Sequence, residues 1–129
     1  MERTANQAPV MVVTGSGRGI GEGIAELAIQ RGYAVLGIDV SFAESTSVVL
    51  QAAENEGKYI KLTADISLES VWTEKIIPTV EERFGRLDVL VNNAAISPKT
   101  NGVRTPSAEM SLEEWNLVLN VNLTSVFLG

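Results

Sequence analysis

Six glycines lie between Val12 and Gly32, where an apolar run ends and a helical pattern begins. Glycine loses much conformational freedom on folding and is a poor helix former, so such a cluster calls for a compensating role. A glycine-rich turn from a strand into a helix lets backbone N–H groups approach an anion at the positive end of the helix dipole. The stretch therefore predicts a phosphate-binding turn, with a plain turn that holds no ligand as the alternative.

The spacing of the glycines separates this turn from two common phosphate loops. A P-loop requires Gly-x-x-x-x-Gly-Lys, and no lysine follows these glycines. The dinucleotide fingerprint Gly-x-Gly-x-x-Gly, started from Gly15 and Gly17, would need its third glycine where Ile20 stands. The pattern that fits is Thr-Gly-x-x-x-Gly-x-Gly, formed by Thr14, Gly15, Gly19 and Gly21.

Two charged residues near the turn bear on which nucleotide it would bind. Asp39 lies roughly 20 residues beyond the turn, where a carboxylate accepts hydrogen bonds from an adenosine ribose and repels an added 2′-phosphate. This position favours NAD(H), with a helix-capping or turn role for Asp39 as the alternative. Arg18, inside the turn, could pair with the 2′-phosphate of NADP(H), contact the pyrophosphate or remain solvated.

The composition excludes several other classes of function. The 129 residues carry a net charge of -6, which disfavours nucleic acid and anionic membrane surfaces as partners. Cysteine and histidine are absent, so a thiol nucleophile, a zinc-thiolate site and the commonest general base are excluded. The N-terminus shows no signal peptide and no run is long enough to cross a membrane, so we expect a cytoplasmic protein.

The elements that must position these residues follow from the apolar patterning. Four runs rich in Val, Leu and Ile have strand length and predict buried strands over residues 9–14, 34–39, 59–63 and 87–92. Helical patterns alternate with them, which predicts right-handed crossovers and a parallel sheet covered on both faces. We expect strand order 3-2-1-4, part of a Rossmann-type doubly wound α/β fold.

The first three predicted helices rest on apolar residues that share a face. The first helix, which Gly32 ends, has its apolar face formed by Ile20, Ile24, Leu27 and Ala28. A weaker pattern predicts a second helix over residues 42–56, resting on Val49, Ala52 and Ala53. The third helix should kink at Pro78, and every fourth residue is apolar at Trp72, Ile76, Val80 and Phe84.

The last predicted helix follows a long loop over residues 97–110 and extends to the end of the chain. Ser111 fits its N-cap, with Glu114 three positions on. The helix is apolar nearly all round and should be buried; Trp115 fits the core or a subunit interface, and Asn120 the helix surface. Because it ends with the chain, we expect one domain over residues 1–129 that is cut at its C-terminal end.

Four motifs together resemble the short-chain dehydrogenase/reductase family. They are the Thr-Gly turn, "TADIS" after the third strand, "DVLVNNAAI" with Asn92 and Asn93 after the fourth, and "EEWNLVLNVNLTSVFL" in the last helix. The resemblance implies that Asn122 is the family's catalytic asparagine, while Ala95 departs from its usual glycine. The residues it implies for cofactor binding are Thr14, Gly15, Gly17, Arg18, Gly19, Ile20, Gly21, Asp39, Asp65, Ile66, Asn92 and Ala94.

Hydride transfer between a nicotinamide and an alcohol or ketone is the activity that this resemblance implies, with NAD as cofactor and NADP as the alternative. The family's acid/base group is a Tyr followed four residues later by a Lys. Tyr33 is followed there by Gly37, and Tyr59 by Thr63, so we expect the 129 residues alone to be inactive. Without that Tyr and Lys, the only role left for Asn122 would be to form hydrogen bonds with backbone groups.

Two other functions remain open, and the family implies one further partner. The chain could be a non-catalytic nucleotide-binding fragment. It could also be an S-adenosylmethionine-dependent methyltransferase. The paired asparagines after the fourth strand and the Thr-Gly that begins the glycine motif argue against this function. Because the expected truncation removes the elements that would cover the last helix, we expect an exposed apolar surface formed by Leu117, Leu119, Leu123, Val126 and Phe127. The corresponding helix takes part in subunit contacts in the family, so we expect a homo-oligomer.

Overall fold

The structure, a computed structural model, describes residues 7–129. Positions 1–6, part of the N-terminus in which the sequence shows no signal peptide, lie outside the described residues. Four strands form one parallel sheet: β1 (Val10–Thr14), β2 (Ala34–Asp39), β3 (Tyr59–Thr63) and β4 (Val89–Val91). Their order is β3-β2-β1-β4, as the sequence predicts, so β1 lies between β2 and β4.

Helices cover both faces of this sheet. On one face α1 (Gly19–Gln30) and α2 (Val48–Asn55) pack on Val13, Val35 and Tyr59. On the other face α3 (Glu69–Val71), a π-helical segment (Trp72–Ile76) and α4 (Ile77–Arg83) follow one another directly. The apolar face predicted for this helical stretch is confirmed, because its four members are buried against Leu36 and Ile38: Trp72, Ile76, Val80 and Phe84.

The segment after β4 contains more structure than the predicted loop. A hairpin of β5 (Lys99–Thr100) and β6 (Val103–Arg104) turns at Asn101 and Gly102, whose φ angles are 51° and 79°. Asn-Gly favours such two-residue hairpin turns, a signal present in the sequence. A 3₁₀ turn (Ser107–Glu109) precedes α5 (Leu112–Leu119), a π-helical segment (Asn120–Thr124) and α6 (Ser125–Leu128).

Two helix boundaries differ from the sequence prediction. The second helix starts at Val48 rather than at position 42, because the Ser47 hydroxyl accepts the N–H of Leu50 at 3.1 Å and caps it there. Pro78 lies in the first turn of α4, where its missing N–H costs least, directly after the π-helical segment. A π-helical segment is a frequent site of helix bending, and the kink at Pro78 stays a prediction.

The apolar face predicted for α1 is partly wrong. Ile20 is 78% exposed and Leu27 is 46% exposed, whereas Gly21, Ala25 and Ala28 are buried. Gly21 must be small because it lies against the carbonyl of Gly15, and Ile24 of the predicted face is partly buried against the core.

The burial expected from the apolar pattern of the last helical stretch is wrong, whereas the expected exposed apolar surface is confirmed at Leu117, Leu123, Val126 and Phe127. Among its residues 112–128 only Ser125 is buried, and Phe127 is 86% exposed. Among the described residues 7–129, no helix or strand covers the exposed apolar side of this helical stretch. Within the same range, no helix has both the length and the apolar character needed to cross a membrane.

Candidate functional site

The glycine turn joins the end of β1 to the first residue of α1. Gly15 and Gly19 have φ angles of 69° and 59°, a region that side chains beyond glycine rarely adopt. Arg18 is the N-cap of α1, with extended backbone and no side-chain cap hydrogen bond. The N–H groups of the first turn of α1 thus lack a side-chain cap, which suits a helix end that binds a phosphate.

Thr14 and Asn93 fasten this turn to the end of β4. The Thr14 hydroxyl accepts the N–H groups of Asn93 and Ala94, both at 3.1 Å. The Asn93 side-chain amide donates to the carbonyls of Thr14 at 3.1 Å and Gly15 at 3.2 Å. Since Thr14 is buried, it supports the turn from within the fold and does not itself reach a ligand.

Close approach of backbones explains two of the glycines. A Cβ on Gly15 would lie 2.7 Å from the Cα of Ala94, and one on Gly21 would overlap the carbonyl oxygen of Gly15. A Cβ on Gly19 would meet no described atom within 4 Å. Gly19 therefore faces open space on the outer side of the turn, which leaves room for a ligand to come close to the backbone.

Asp39, at the carboxyl end of β2, holds the turn from the other side. Its Oδ2 accepts the N–H of Gly17 at 2.9 Å, and its Oδ1 accepts the N–H of Ser41 at 3.3 Å. The sequence treats a turn role and a ribose role for Asp39 as alternatives, and the structure shows the turn role directly. A carboxylate has about four lone-pair sites, so acceptor capacity remains for a ligand.

A cleft of about 560 Å³ opens where the carboxyl ends of the four strands meet. Each strand end contributes to it, and Leu117 and Val121 from the last helical stretch line it as well. In parallel α/β sheets, ligands bind in this crevice beyond the carboxyl ends of the strands. Arg18 is its one basic lining residue among the described part of the chain, and it faces a cleft that also holds Asp39 and Asp65.

The structure brings most of the predicted cofactor-binding residues to this cleft. Its lining includes Gly15, Arg18, Ile20, Gly21, Asp39, Asp65, Ile66 and Ala94. The predicted residues outside the lining are Thr14, Gly17, Gly19 and Asn92. Asn93 lines the cleft in place of Asn92. Successive side chains at a strand end point to opposite sides, so only one of Asn92 and Asn93 can face the cleft. The sequence does not reveal which of the two it is.

Asp65 and Ile66, the two cofactor-binding residues predicted after β3, have different surroundings in the structure. Asp65 is exposed, and its carboxylate accepts the N–H of Ser67 at 2.9 Å and the Ser67 hydroxyl at 2.7 Å. Ile66 is buried, and its carbonyl accepts the indole N–H of Trp72 at 2.8 Å. Both line the cleft, but Ile66 is also a member of the core behind it.

Asn122 lies in the π-helical segment Asn120–Thr124 and contacts the loop that follows β4. Its Oδ1 accepts the N–H of Ile96 at 2.8 Å, and its Nδ2 donates to the carbonyl of Ile96 at 2.9 Å. The amide keeps one hydrogen and one lone pair for a further partner. The backbone-satisfying role considered for Asn122 is therefore present in the structure.

Several cleft residues were not predicted as site residues: Val40 lies outside the four motifs, whereas Ile96 and Leu117 lie within two of them. Val40 is 64% exposed next to Asp39, and Ile96 and Leu117 add apolar surface. The position of Val40, directly after a strand end, was the available signal.

Tyr59 lies in the core under α1 and α2, and burial raises the pKa of its phenol. It is not placed for proton transfer in the cleft.

Comparison with known proteins identifies the family to which the sequence is similar. The sequence profile of the short chain dehydrogenase family matches residues 9–129. The chain is 40% identical over 121 residues to glucose 1-dehydrogenase 2 of Bacillus subtilis (strain 168), covering 92% of this chain and 44% of that protein. It is 37% identical over 129 residues to a 3-oxoacyl-(acyl-carrier-protein) reductase of Synechocystis sp., covering 97% of this chain and 49% of the relative.

Solved structures agree with the sequence matches. A glucose/ribitol dehydrogenase from Brucella melitensis superposes with a TM-score of 0.78 at 30% identity, over 95% of this chain and 48% of that one. A 3-ketoacyl-(acyl-carrier-protein) reductase from Brucella melitensis, crystallised with NADH, gives a TM-score of 0.75 at 27% identity, over 95% and 47% of the two chains. The chain thus spans about half the length of the relatives that it matches.

Proposed function

Because this chain belongs to the short-chain dehydrogenase family, we propose that its cleft binds a nicotinamide dinucleotide, with NAD(H) preferred over NADP(H). In this proposal the chain is the cofactor-binding portion of an oxidoreductase that interconverts an alcohol and a ketone. The bound nicotinamide supplies the hydride acceptor or donor. The residues of this chain hold the dinucleotide and set which form of it fits.

The glycine turn at the mouth of the cleft carries this proposal. The turn combines an uncapped helix N-terminus, open space beside Gly19 and rigid anchors on β2 and β4. A pyrophosphate is the dinucleotide group that such a helix end stabilises. Asp39, at the end of the neighbouring strand, has the position and remaining lone pairs to accept hydroxyls of the adenosine ribose.

Cofactor preference follows from the charges beside that ribose. The carboxylate of Asp39 repels a 2′-phosphate, which supports NAD(H). Arg18 lines the same cleft and would attract a 2′-phosphate, which is why NADP(H) stays the alternative. Asp39 is held in place by two backbone N–H groups, whereas Arg18 is exposed, so we give the carboxylate the larger weight.

The chemical step requires groups beyond those identified in this chain. Neither tyrosine is followed by a lysine at the fourth position, and general acid–base assistance is typically worth about a hundred- to ten-thousand-fold in rate. We therefore propose that the 129 residues alone turn over no substrate. Asn122 positions the loop at Ile96 and keeps one donor and one acceptor, enough to hold a water in a proton relay completed elsewhere.

The proposed function also implies a substrate and a protein partner. The substrate class proposed for the complete protein is a small-molecule alcohol or ketone. The names of two relatives give glucose and a 3-oxoacyl-(acyl-carrier-protein) as what those proteins act on. A second copy of the chain is the proposed partner for the exposed apolar side of the last helical stretch. The cytoplasmic location stays a prediction from the sequence.

Calorimetric titration of the complete protein with NADH, NADPH and S-adenosylmethionine tests the proposal. We expect NADH to bind most tightly, NADPH more weakly and S-adenosylmethionine not at all. Tighter NADPH binding would assign the preference to Arg18 rather than Asp39. Binding of S-adenosylmethionine alone would make the methyltransferase the correct function, and binding of NADH without turnover of any alcohol or ketone would leave a non-catalytic nucleotide-binding protein.

A further inference from the structure

A second cavity, of about 450 Å³, lies beside the glycine turn, and we call it the Tyr59 cavity. Its walls come from the turn, the first turn of α1, the segment between β2 and α2, α2 itself and β3. Among residues 7–129 it shares no lining residue with the cleft at the strand ends, and the predicted cofactor-binding residue Gly17 lines this cavity instead. Its volume falls in the range of about 300–1,000 Å³ that is typical of small-molecule sites.

Two hydroxyl groups lie together in the Tyr59 cavity. Ser16 is 1% exposed, and its Oγ has no hydrogen-bond partner within residues 7–129. The phenol oxygen of Tyr59 is its neighbour, because a Cβ on Gly37 would overlap Ser16 Oγ and lie 2.8 Å from that phenol oxygen. The absence of a side chain at position 37 therefore provides the space for both hydroxyls. A buried hydroxyl without a partner costs free energy, so the pair favours a ligand that supplies one.

Carboxylates outnumber cations around this cavity. Its charged lining residues are Lys61 and three glutamates: Glu22, Glu44 and Glu54. The Lys61 ammonium is paired with Glu54 at 3.1 Å, so within residues 7–129 the other two glutamates have no ion-pair partner. The resulting negative potential attracts a positively charged ligand and repels a phosphate.

The Tyr59 phenol experiences the same negative potential. Burial is the largest cause of the raised pKa of this phenol, and the charges of Glu22, Glu54 and Asp39 raise that pKa further. The Ser16 hydroxyl lowers it, so the two oxygens are close, although their arrangement is not that of a hydrogen bond. Both hydroxyl oxygens have lone pairs that can accept a hydrogen bond from a charged donor.

A cation of the chain itself shows how a positive group fits this lining. The Nζ of Lys61 lies 5.8 Å from the centroid of the Phe42 ring while it pairs with Glu54. An aromatic face and a carboxylate together favour an organic cation. A metal ion fits less well, because no group of three or more metal-binding side chains within the described residues could hold one.

We propose that the Tyr59 cavity binds a small organic molecule that carries a primary ammonium group. The ammonium donates hydrogen bonds to the hydroxyls of Ser16 and Tyr59 and pairs with the partly buried carboxylate of Glu22. The hydrocarbon part of the molecule packs on the ring of Phe42. This site is separate from the cleft proposed for the dinucleotide, and binding in it involves no chemical step.

Calorimetric titration of the complete protein with 1,4-diaminobutane tests this site. We expect saturable binding with a Kd of about 1 mM or lower, which a ligand of this size can reach. The uncharged analogue 1,4-butanediol should bind at least about tenfold more weakly, because its hydrogen bonds are not charge-assisted. Equal binding of the diol would overturn the ammonium assignment. Absence of saturable diamine binding up to about 10 mM would overturn the site itself.

Two pairs of variants locate the ligand in the protein. Tyr59→Phe removes only the phenol oxygen and should weaken diamine binding about tenfold, the effect of losing a hydrogen bond to a charged group. Its matched control is Tyr33→Phe, because Tyr33 packs against the same core cluster but does not line the cavity. Glu22→Gln should weaken binding about two- to fivefold, the range of a partly exposed ion pair. Glu26→Gln, one turn along α1 and outside the cavity, is the control with the same loss of charge.

Both control variants should bind the diamine as the unchanged protein does. If Glu26→Gln weakens binding as much as Glu22→Gln, the overall negative charge of the protein holds the diamine and the proposal is wrong. Unchanged binding in Tyr59→Phe would place the ligand outside this cavity and overturn the proposal as well. Should Tyr59→Phe fail to fold, the two glutamine variants decide the question, since both positions are partly exposed on α1. None of these outcomes depends on dinucleotide binding.

Discussion

The side-chain amide of Asn122 forms hydrogen bonds with both peptide groups of a single residue, Ile96. It accepts the N–H at 2.8 Å and donates to the carbonyl at 2.9 Å, across 26 positions of sequence. The loop after β4 is thereby attached to the last helical stretch at its π-helical segment. This attachment holds one wall of the cleft against the strand ends that form its floor.

Asn122→Ala should lower the free energy of unfolding by about 0.5–1.5 kcal/mol, because two solvent-exposed hydrogen bonds to Ile96 are lost and water can replace them in part. Chemical denaturation of the chain measures this change. Asn120→Ala is the control, since Asn120 is exposed on the same helical stretch, and we expect a change within about 0.5 kcal/mol. Equal stability of the two variants would mean that the Asn122–Ile96 bonds contribute nothing to the fold.

Gly19→Asn should block dinucleotide binding with little loss of stability. Asparagine tolerates the left-handed backbone that Gly19 adopts, and its side chain would fill the open space beside the turn. We expect an NADH affinity at least about tenfold weaker, equivalent to about 1.4 kcal/mol. Gly19→Val should weaken binding as well but also destabilise the fold, because a β-branched residue is strained at φ 59°. Unchanged NADH affinity in Gly19→Asn would show that this turn does not hold the pyrophosphate.

Thr14→Val keeps the shape of the side chain but removes the acceptor for the N–H groups of Asn93 and Ala94. Because Thr14 is buried, those groups lose a partner that water cannot easily replace, and we expect a loss of about 1–3 kcal/mol in stability. Thr14→Ser retains the hydroxyl and should cost about 1 kcal/mol or less, the value of one methyl group. A Ser variant less stable than the Val variant would contradict the hydrogen-bonding role.

The isolated 129-residue chain should self-associate through its last helical stretch. Leu123 and Phe127, four positions apart, are 64% and 86% exposed. Light scattering should detect dimers or larger species, and a Leu123→Glu/Phe127→Glu variant should shift the distribution toward monomer. Leu112→Glu is the control, since Leu112 is 74% exposed at the far end of the same stretch and should leave the distribution unchanged. A monomeric unchanged chain would contradict the prediction.

β1 and β2 could be predicted because each is a nearly continuous run of apolar residues, the pattern typical of buried parallel strands, and the strand order follows from right-handed crossovers. The full burial predicted for β3 is wrong, because this strand lies at the edge of the sheet and Lys61 is exposed. The glycine turn could be predicted because its spacing is unusual. The exposure of Phe127 was predicted only from the expected loss of covering elements, because the apolar pattern of the helix by itself favours burial.

A turn role for Asp39 was one of the two predicted alternatives, but the partner of its carboxylate could not be predicted from the sequence. Its carboxylate accepts the N–H of Gly17, 22 positions earlier, and that contact exists only once β1 and β2 are paired. The choice of Asn93 over Asn92 for the cleft depended in the same way on where β4 ends. Contacts formed between distant segments decide these details, and local sequence patterns carry no information on them.

The bonds between Thr14 and Asn93 span 79 positions, which has a consequence for the order of events during synthesis. At roughly 5–20 residues per second, a ribosome needs about 4–16 s to make the chain between these residues. Until β4 is made, β1 lacks its second neighbour and the glycine turn lacks its anchors on β4. The first strand of the sheet is thus completed by the last, and before that its open edge can pair with another chain.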